Sequence, residues 1–480
     1  MKPDEKKGEI ITRAKGYHCR YFVTSYNPAL PFCKDVPLPS PLFILSYPDM
    51  ATRPVFISRF ATIMTMIGVS VGLGNVWRFP YMMGKYGGSA FLFTYISFTI
   101  LFAIPALMAE WALGRETRKG PIGTFCLVFG NRLGKAVGIL LLITVVVADS
   151  YYLVVIANVG FTAAFSLLKG FAGANMAIYH DLLALGSLQY VISLLVLVVS
   201  LYVISRGLNK GIAGTSKIFV PFFLFIMAGL IIYVLTIPGT TGYLIDFLKP
   251  DITAFNREVI FAALGQSFFS LGLGGTFMLM YGSYMRNEED IPSGAFLTSF
   301  GDMGAALMAS IFIVPAILYF GLDMASGPGL IFNVFPELFN KMPMGNWLGG
   351  IFLLGLTLVA FLSNLAALEV IAGSFEELGF IKLTRKRIII GLGVVEGLLM
   401  IPSSFYPDII GYLDLIFGSG MQTFGSLLAI MGLTWGLSKK KVMLQLFGEQ
   451  NKLQGRLFYY WIRWVVPIAL IIILIGYISG

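Results

Sequence analysis

Apolar residues in this chain gather into long runs, not at the three- and four-residue spacing of a helix with one wet face. Eleven of the runs approach the roughly 20 residues that cross a hydrocarbon core. They predict spans at 59–86, 89–114, 136–168, 187–205, 216–237, 257–285, 293–320, 346–376, 387–402, 408–436 and 457–479. Two of these are broken by polar, glycine-rich chain. The first carries Gly68-Val69-Ser70-Val71-Gly72-Leu73-Gly74-Asn75-Val76-Trp77-Arg78, and the sixth carries Ser270-Leu271-Gly272-Leu273-Gly274-Gly275, so Ser-x-Gly-Leu-Gly occurs twice.

Backbone N–H and C=O groups in lipid must be satisfied internally, so unwound chain survives there only when buried in protein or lining a cavity. A broken helix presents two half-helix ends: free N–H groups with positive dipole suit a carboxylate, and freed carbonyls suit a small cation. Glycines that merely let helices approach closely are the plainer reading of either break alone. Two breaks in corresponding spans favour a transport site. Spans 1–5 and 6–10 then form two five-helix units of opposite orientation, with span 11 an addition. The expected fold is an all-α polytopic membrane protein with discontinuous helices 1 and 6, with repeats over 59–237 and 257–436 and a last helix at 457–479.

Composition agrees, because 57% of the residues are hydrophobic and 12% charged, which a soluble domain cannot accommodate. The net charge of +9 does not imply nucleic acid here. Arg115, Arg118, Lys119, Arg132 and Lys135, then Arg206, Lys210 and Lys217, then Lys382, Arg385, Lys386 and Arg387, and last Lys439, Lys440, Lys441, Lys452 and Arg456 fall on one face. Lys169, Lys249, Arg257 and Lys341 fall on the other, which places the N-terminus in the cytoplasm and the C-terminus outside. Residues 1–58 form an N-terminal cytoplasmic segment without the order of a signal peptide, and Met50-Ala51-Thr52-Arg53 reads as a start that makes 1–49 an upstream extension. Cys19, Cys33 and Cys126 with His18 and His180 supply neither a metal cluster nor a disulfide framework. No Gly-x-x-x-x-Gly-Lys-[Ser/Thr] loop and no nucleophile–base pair is visible, so the reading is not an enzyme and the energy comes from an ion gradient.

Gly72-Leu73-Gly74-Asn75-Val76-Trp77-Arg78-Phe79-Pro80-Tyr81, Gly87-Gly88-Ser89-Ala90-Phe91 and Glu110-Trp111-Ala112-Leu113-Gly114-Arg115 resemble the neurotransmitter:sodium symporter family. The resemblance continues through Tyr151-Tyr152, Gln266-Ser267-Phe268-Phe269-Ser270-Leu271-Gly272 and Leu413-Asp414, covering about residues 53–436. Eleven spans look like its bacterial branch, many of whose members import amino acids with sodium. The resemblance implies a sodium-coupled importer working by alternating access in a bacterial-type inner (plasma) membrane. Spans 1, 2, 6 and 7 would rock against 3, 4, 8 and 9, with membrane lipid around them and an amino acid as the small-molecule partner. A proton-coupled transporter on the same architecture is the alternative, and a channel the more remote one.

Ionisable groups inside spans are costly and are functional hypotheses by default: Arg78, Glu110, Asp149, Asp302, Glu369, Glu396 and Asp414. The resemblance makes Arg78 with Asp414 an outer gate pair and Arg53 with Glu377, or Glu376 if the register slips, a cytoplasmic lock. Glu110 would brace the break in span 6. For Asp149, Glu369 and Glu396 a helix–helix hydrogen bond is the favoured reading. A first sodium site would use the Ser70 carbonyl, the Asn75 side-chain oxygen, Ser270 and Asp302 with the substrate carboxylate, all oxygen donors suited to a hard cation. A second would use Gly68, Val71, Ala360, Ser363 and Asn364, of which only Ser363 is secure in both possible registers. The substrate would be lined by Val69, Ser70, Gly72, Gly74, Ala148, Tyr152, Phe269, Ser270, Gly272 and Gly275. Glycine at 72, where monoamine members hold an aspartate, favours an amino acid. Gly275 replaces a ring of many members, and the room it leaves favours a bulky hydrophobic or aromatic substrate. Tyr95, Gln266 and Ser270 match three chloride-holding positions, but the serine or glutamate expected in span 7 is Ala305 or Ala306. Asp302 would supply the missing charge, so chloride is not expected as a cofactor while Na+ is.

Overall fold

The computed structural model describes residues 9–14, 17–22, 53–324, 327, 329–378, 384–448 and 453–479. It divides into two compact units, Met1–Thr52 and Arg53–Gly480. In the first, Glu9–Ala14 pairs antiparallel with Tyr17–Phe22, with Ala14 opposite Tyr17. The remainder of the predicted extension lies outside the described residues.

In the second unit nine helices among the described residues are long and apolar enough to span: Ser89–Thr117, Asn131–Leu168, Gly186–Ser205, Leu208–Thr236, Ile291–Tyr319, Gly345–Glu377, Arg385–Phe405, Ile409–Gly436 and Leu453–Gly476. These are spans 2, 3, 4, 5, 7, 8, 9, 10 and 11 of the sequence reading. Span 1 is the pair Arg59–Ser70 and Gly74–Lys85, bent by 58°. Span 6 is divided into Arg257–Ser270 and Phe277–Gly282, neither long enough to cross alone. The fold is thus the all-α architecture with discontinuous first and sixth helices. Spans 3 and 5 begin earlier than the apolar runs do, because Arg132, Lys135 and Lys210 continue the helix past the apolar stretch as its wet end.

Each broken span starts with a side-chain cap. Ser58 Oγ accepts from the Ala61 N–H at 3.2 Å, and Asn256 Oδ1 accepts from the Val259 N–H at 3.0 Å, satisfying donors that the helix start leaves free. Close backbone approach then locks the second half of span 6 onto span 2. A β-carbon on Gly282 would sit 2.7 Å from the Trp111 α-carbon, and one on Gly114 would collide with the Leu279 carbonyl. Without a hydrophobic driving force in lipid, such small-residue contacts carry helix association.

Short helices outside the predicted spans fill the connections: Pro121–Phe129, Asn175–Leu183, Thr240–Leu248, Phe335–Lys341 and Lys439–Phe447. The last is clasped to the end of span 2, where Arg115 donates from Nε to the Gln445 side chain at 2.7 Å and from Nη2 to the Gln445 carbonyl at 2.6 Å.

Candidate functional site

The two breaks meet in the middle of the second unit. Span 1 stops at Ser70, Val71 turns extended with φ −72° and ψ 119°, and helix resumes at Gly74 as a wide turn. Asn75 bridges the gap, accepting at Oδ1 from the Gly72 N–H at 3.0 Å. Its Nδ2 donates to Asp302 Oδ1 at 2.7 Å, to the Asp302 carbonyl at 3.1 Å and to Ser270 Oγ at 3.2 Å. Ser270 Oγ in turn donates to Asp302 Oδ2 at 2.6 Å. Three spans therefore meet in one cluster, in which the Ser270 hydroxyl and the Asp302 carboxylate face the Nδ2 of Asn75 and not its Oδ1, and all three residues are at most 3% exposed. The side-chain hydroxyl of Ser70 returns to its own helix, donating to the Met66 carbonyl at 3.1 Å, while the ligand expected from Ser70 is its carbonyl.

Beside this cluster the Tyr95 hydroxyl lies against Ser270 and Thr99 and near Asp302. Tyr95 Oη and both amide atoms of Gln266 are buried without a hydrogen-bond partner. Ala305 and Ala306 are fully buried and add no polar atom.

The other side of the first break faces span 8. Ser363 Oγ stands 3.2 Å from the Val69 carbonyl oxygen and 3.5 Å from that of Val71. Gly68 packs on Leu362, where an added β-carbon would be 2.8 Å from Cδ1. Asn364 does not join this group. Its Nδ2 donates to Asp149 Oδ1 at 2.8 Å and its Oδ1 accepts from Ser200 Oγ at 2.5 Å, which corrects the sequence-based ligand set. One residue along a helix is about 100° of rotation, and here it turns Asn364 from the break that Ser363 faces toward spans 3 and 4. Ala360 is buried one turn earlier on the same span.

Gly72 looks onto polar space. A β-carbon there would come within 3.1 Å of both the Tyr152 hydroxyl and Ser363 Oγ, and the Tyr152 hydroxyl also meets the Leu73 backbone. Gly74 is covered by the Phe269 ring, 2.7 Å from where its β-carbon would be, and the Arg78 guanidinium lies over the same ring with its carbon 4.0 Å from the centroid. Gly272, at φ +63°, faces open space. Gly275 does not. At φ +66° its β-carbon would lie 2.5 Å from the Gly425 carbonyl oxygen of span 10 and 3.3 Å from Phe125. The room expected from a missing ring at this position is filled by span 10 backbone. Ala148 lies with Gly274 on a cleft that continues toward span 10. Val69 is buried in the break.

Glu110 Oε1 accepts both the Gly274 and the Gly275 N–H groups at 3.0 Å. The donors freed at the start of the second half-helix of span 6 thus end on a fully buried carboxylate from span 2.

Of the expected outer pair, Arg78 donates to Ser419 Oγ at 3.4 Å while Asp414 Oδ1 accepts from the Tyr151 hydroxyl at 3.2 Å. No ion pair joins Arg78 to Asp414, and the guanidinium is occupied by the Phe269 ring. At the opposite end Arg53 is paired with Glu377, and the Gly120 N–H donates to the same carboxylate. Glu376 pairs with Arg385 at 2.9 Å, which settles the register between them. Nothing in the residue spacing pointed to what surrounds this pair. Arg385 also holds Glu369 at 2.6 Å, the Tyr284 hydroxyl donates to Glu369 at 2.9 Å, and the Arg53 guanidinium carbon lies 5.3 Å from the Tyr284 ring centroid. Glu369 is therefore an ion-pair partner, not a simple helix–helix hydrogen bond. Asp149 bonds Asn364, whereas both Glu396 carboxylate oxygens are buried without a partner.

A family model for the sodium:neurotransmitter symporter family matches residues 53–177 and 170–479. The sodium-dependent transporter YhdH of Bacillus subtilis is 28% identical over 454 residues, 89% of this chain and 98% of the relative. The sodium-dependent transporter MJ1319 of Methanocaldococcus jannaschii is 30% identical over 410 residues, 80% of this chain and 82% of the relative. The crystal structure of MhsT in complex with L-phenylalanine superposes with a TM-score of 0.79 at 29% identity, over 88% of this chain and all of that one. Two broken spans meeting at a buried oxygen cluster, with the family match covering the whole second unit, make this chain a membrane-spanning, sodium-dependent symporter of the sodium:neurotransmitter symporter family.

Proposed function

We propose that the protein imports a large apolar or aromatic amino acid with two sodium ions, by alternating access across the plasma membrane. The observation that carries this is the Asn75–Ser270–Asp302 cluster at the junction of the breaks: a hydroxyl and a carboxylate with, among the described residues, no protein cation against them, and an amide whose oxygen would turn in from the Gly72 N–H to a bound ion. That donor set fits a small monovalent cation. The likeness to a solved transporter bound to phenylalanine supports an amino acid as the organic substrate.

In this reading the α-carboxylate lies over Gly72 with the Tyr152 hydroxyl and the Leu73 backbone beside it, close enough to share the first ion with Asn75 and Ser270. Sharing makes ion and substrate affinity reciprocal, which is coupling in thermodynamic form. The second ion takes the Val69 or Val71 carbonyl, Ser363 and the neighbouring carbonyls of Gly68 and Ala360, without Asn364. Asp302 stands in for chloride, with Tyr95 and Gln266 offering only polar surroundings. The repeats run over 59–237 and 257–436, the N-terminal face is cytoplasmic, and the Arg53–Glu377 pair closes that face. With two ions and a zwitterion, a potential of about 100 mV and tenfold sodium gradients sustain accumulation on the order of 10⁵-fold.

Uptake into proteoliposomes tests the reading. Accumulation of an aromatic amino acid on an inward sodium gradient, unchanged when gluconate replaces chloride, is the expected result. Uptake on a pH gradient alone would replace sodium by protons, and currents far above carrier turnover would mean a channel.

A further inference from the structure

Spans 3, 4, 8 and 9 bury two carboxylates that, among the described residues, no cationic side chain meets. Asp149 of span 3 is 2% exposed and Glu396 of span 9 is fully buried. Span 9 comes close to span 4 through glycines on either side of Glu396. A β-carbon on Gly393 would meet Leu201 Cδ1 at 2.6 Å, and one on Gly397 would meet Leu194 Cδ2 at 3.6 Å. Asp149 Oδ1 accepts from Asn364 Nδ2 at 2.8 Å, and the Asn364 oxygen is taken by the Ser200 hydroxyl. Asp149 Oδ2 and both Glu396 oxygens are left buried with no hydrogen-bond partner. Asp149 is the charged group that acts on Glu396. Other titratable groups on the surrounding elements are engaged elsewhere. The Tyr151 hydroxyl donates to Asp414, Tyr152 meets the Leu73 backbone and Ser363, the Tyr190 hydroxyl of span 4 donates to the Gly397 carbonyl at 3.0 Å, and Glu369 of span 8 is held by Arg385.

We propose that Asp149 and Glu396 form a proton-binding site, holding one proton between them, and that this proton passes to water when a sodium ion enters at Ser363. Three buried acceptor oxygens have no donor, and two like charges share a region where each alone is costly. One proton answers both: it removes one of the charges, and as an O–H it supplies the missing donor. A metal ion fits less well, because hard cations gather about six oxygens and only three are free here. The release rests on the reading of Ser363 as part of an ion site. Its link is Asp149, whose charge also acts on the Tyr152 hydroxyl, and that hydroxyl bonds Ser363. A cation at Ser363 and a proton on the pair therefore repel each other, and each weakens the binding of the other by the same factor. Asn364, which touches Asp149, is not among the oxygens offered to sodium.

The test is sodium binding to the purified, full-length protein in weakly buffered solution with a pH indicator, with choline in place of sodium as the control. The wild type should release protons as sodium binds. Its apparent sodium affinity should rise with pH, by up to about tenfold per unit when one whole proton leaves. The infrared difference spectrum should show the carbonyl band of a protonated carboxyl group disappearing as sodium is added. Asp149→Asn combined with Glu396→Gln keeps the shapes and removes both carboxylates, so it should bind sodium without that release, that slope or that band. Sodium binding to the wild type with no proton released, or equal release from the double variant, overturns the proposal. If the double variant does not fold, Glu396→Gln alone is compared with the wild type, and unchanged release overturns the proposal equally. Binding of no sodium at all would bring down the ion-coupled reading itself, whereas sodium binding without proton release removes only the role given to Asp149 and Glu396.

Discussion

Asn75 Nδ2 donates to Asp302 Oδ1 across 2.7 Å, tying the first broken span to span 7 at the point where both are buried. A neutral amide thus stabilises a carboxylate that has no cationic side chain in its cluster. Replacing Asp302 by Asn removes the negative charge that the protein itself offers an ion there, worth on the order of 4 kcal/mol at about 4 Å and an effective dielectric near 20. Asp302→Asn should abolish sodium-dependent thermal stabilisation or make it depend on added chloride. A variant that binds sodium as the wild type does in gluconate would remove Asp302 from the ion's shell.

Ser363 offers its hydroxyl to the Val69 and Val71 carbonyls at 3.2 and 3.5 Å. Ser363→Ala should lower the sodium Hill coefficient of uptake toward one and cut the accumulation ratio by an order of magnitude or more. Asn364→Ala should act differently, weakening the protein through Asp149 and Ser200 while leaving the Hill coefficient alone. Identical ion dependence in both variants would show that the two residues share a role.

Glu110 is the only acceptor recorded for the Gly274 and Gly275 N–H groups among the described residues. Glu110→Ala strands two buried donors, at about 1–3 kcal/mol each, and should lower the melting temperature of the purified protein by several degrees and abolish uptake. Glu110→Gln keeps an acceptor oxygen and should fall between. Equal melting of wild type and Glu110→Ala would mean that the break is held elsewhere.

Two glycines of span 6 with nearly the same backbone angle should answer differently to alanine. Gly272→Ala, in open space, meets only the strain of a positive φ, about 1–2 kcal/mol. Gly275→Ala meets that strain and the Gly425 carbonyl as well, so it should be the more destabilising in a thermal melt. A larger side chain at 275 should prevent folding, not shrink the pocket.

The spans and both breaks were legible because lipid forbids unwound backbone without a purpose, so glycines and hydroxyls inside an apolar run stand out against their surroundings. Glu110 was legible for the same reason, being a charge where charge is expensive. Rotation about a helix axis was not: span 8 carries Leu362, Ser363 and Asn364 in sequence, and only packing decides which of them meets span 1. Gly275 misled because a pattern of side chains cannot reveal where a positive φ sends the backbone. Arg385 with Glu369 and Tyr284 went unseen because long polar side chains near helix ends have many partners within reach, and the chain order of Tyr284, Glu369 and Arg385 contains no spacing that selects one. The free ends of Arg78 and Asp414 belong with these, since a ring and a phenol occupy groups that opposite charge alone would pair.

The two breaks are moored by unequal means. Span 6 is tied to span 2 by two hydrogen bonds to a carboxylate and by backbones in direct contact at Gly114 and Gly282, a junction that resists shear. Span 1 touches span 8 through one hydroxyl at the long end of hydrogen-bond range, together with the edge of Leu362. If one group of helices slides past the other, as the proposed alternating access requires, the Ser363 seam would part first and the Glu110 mooring would stay whole. In that proposal the seam is a clasp, and an ion lodged in it would hold the protein shut.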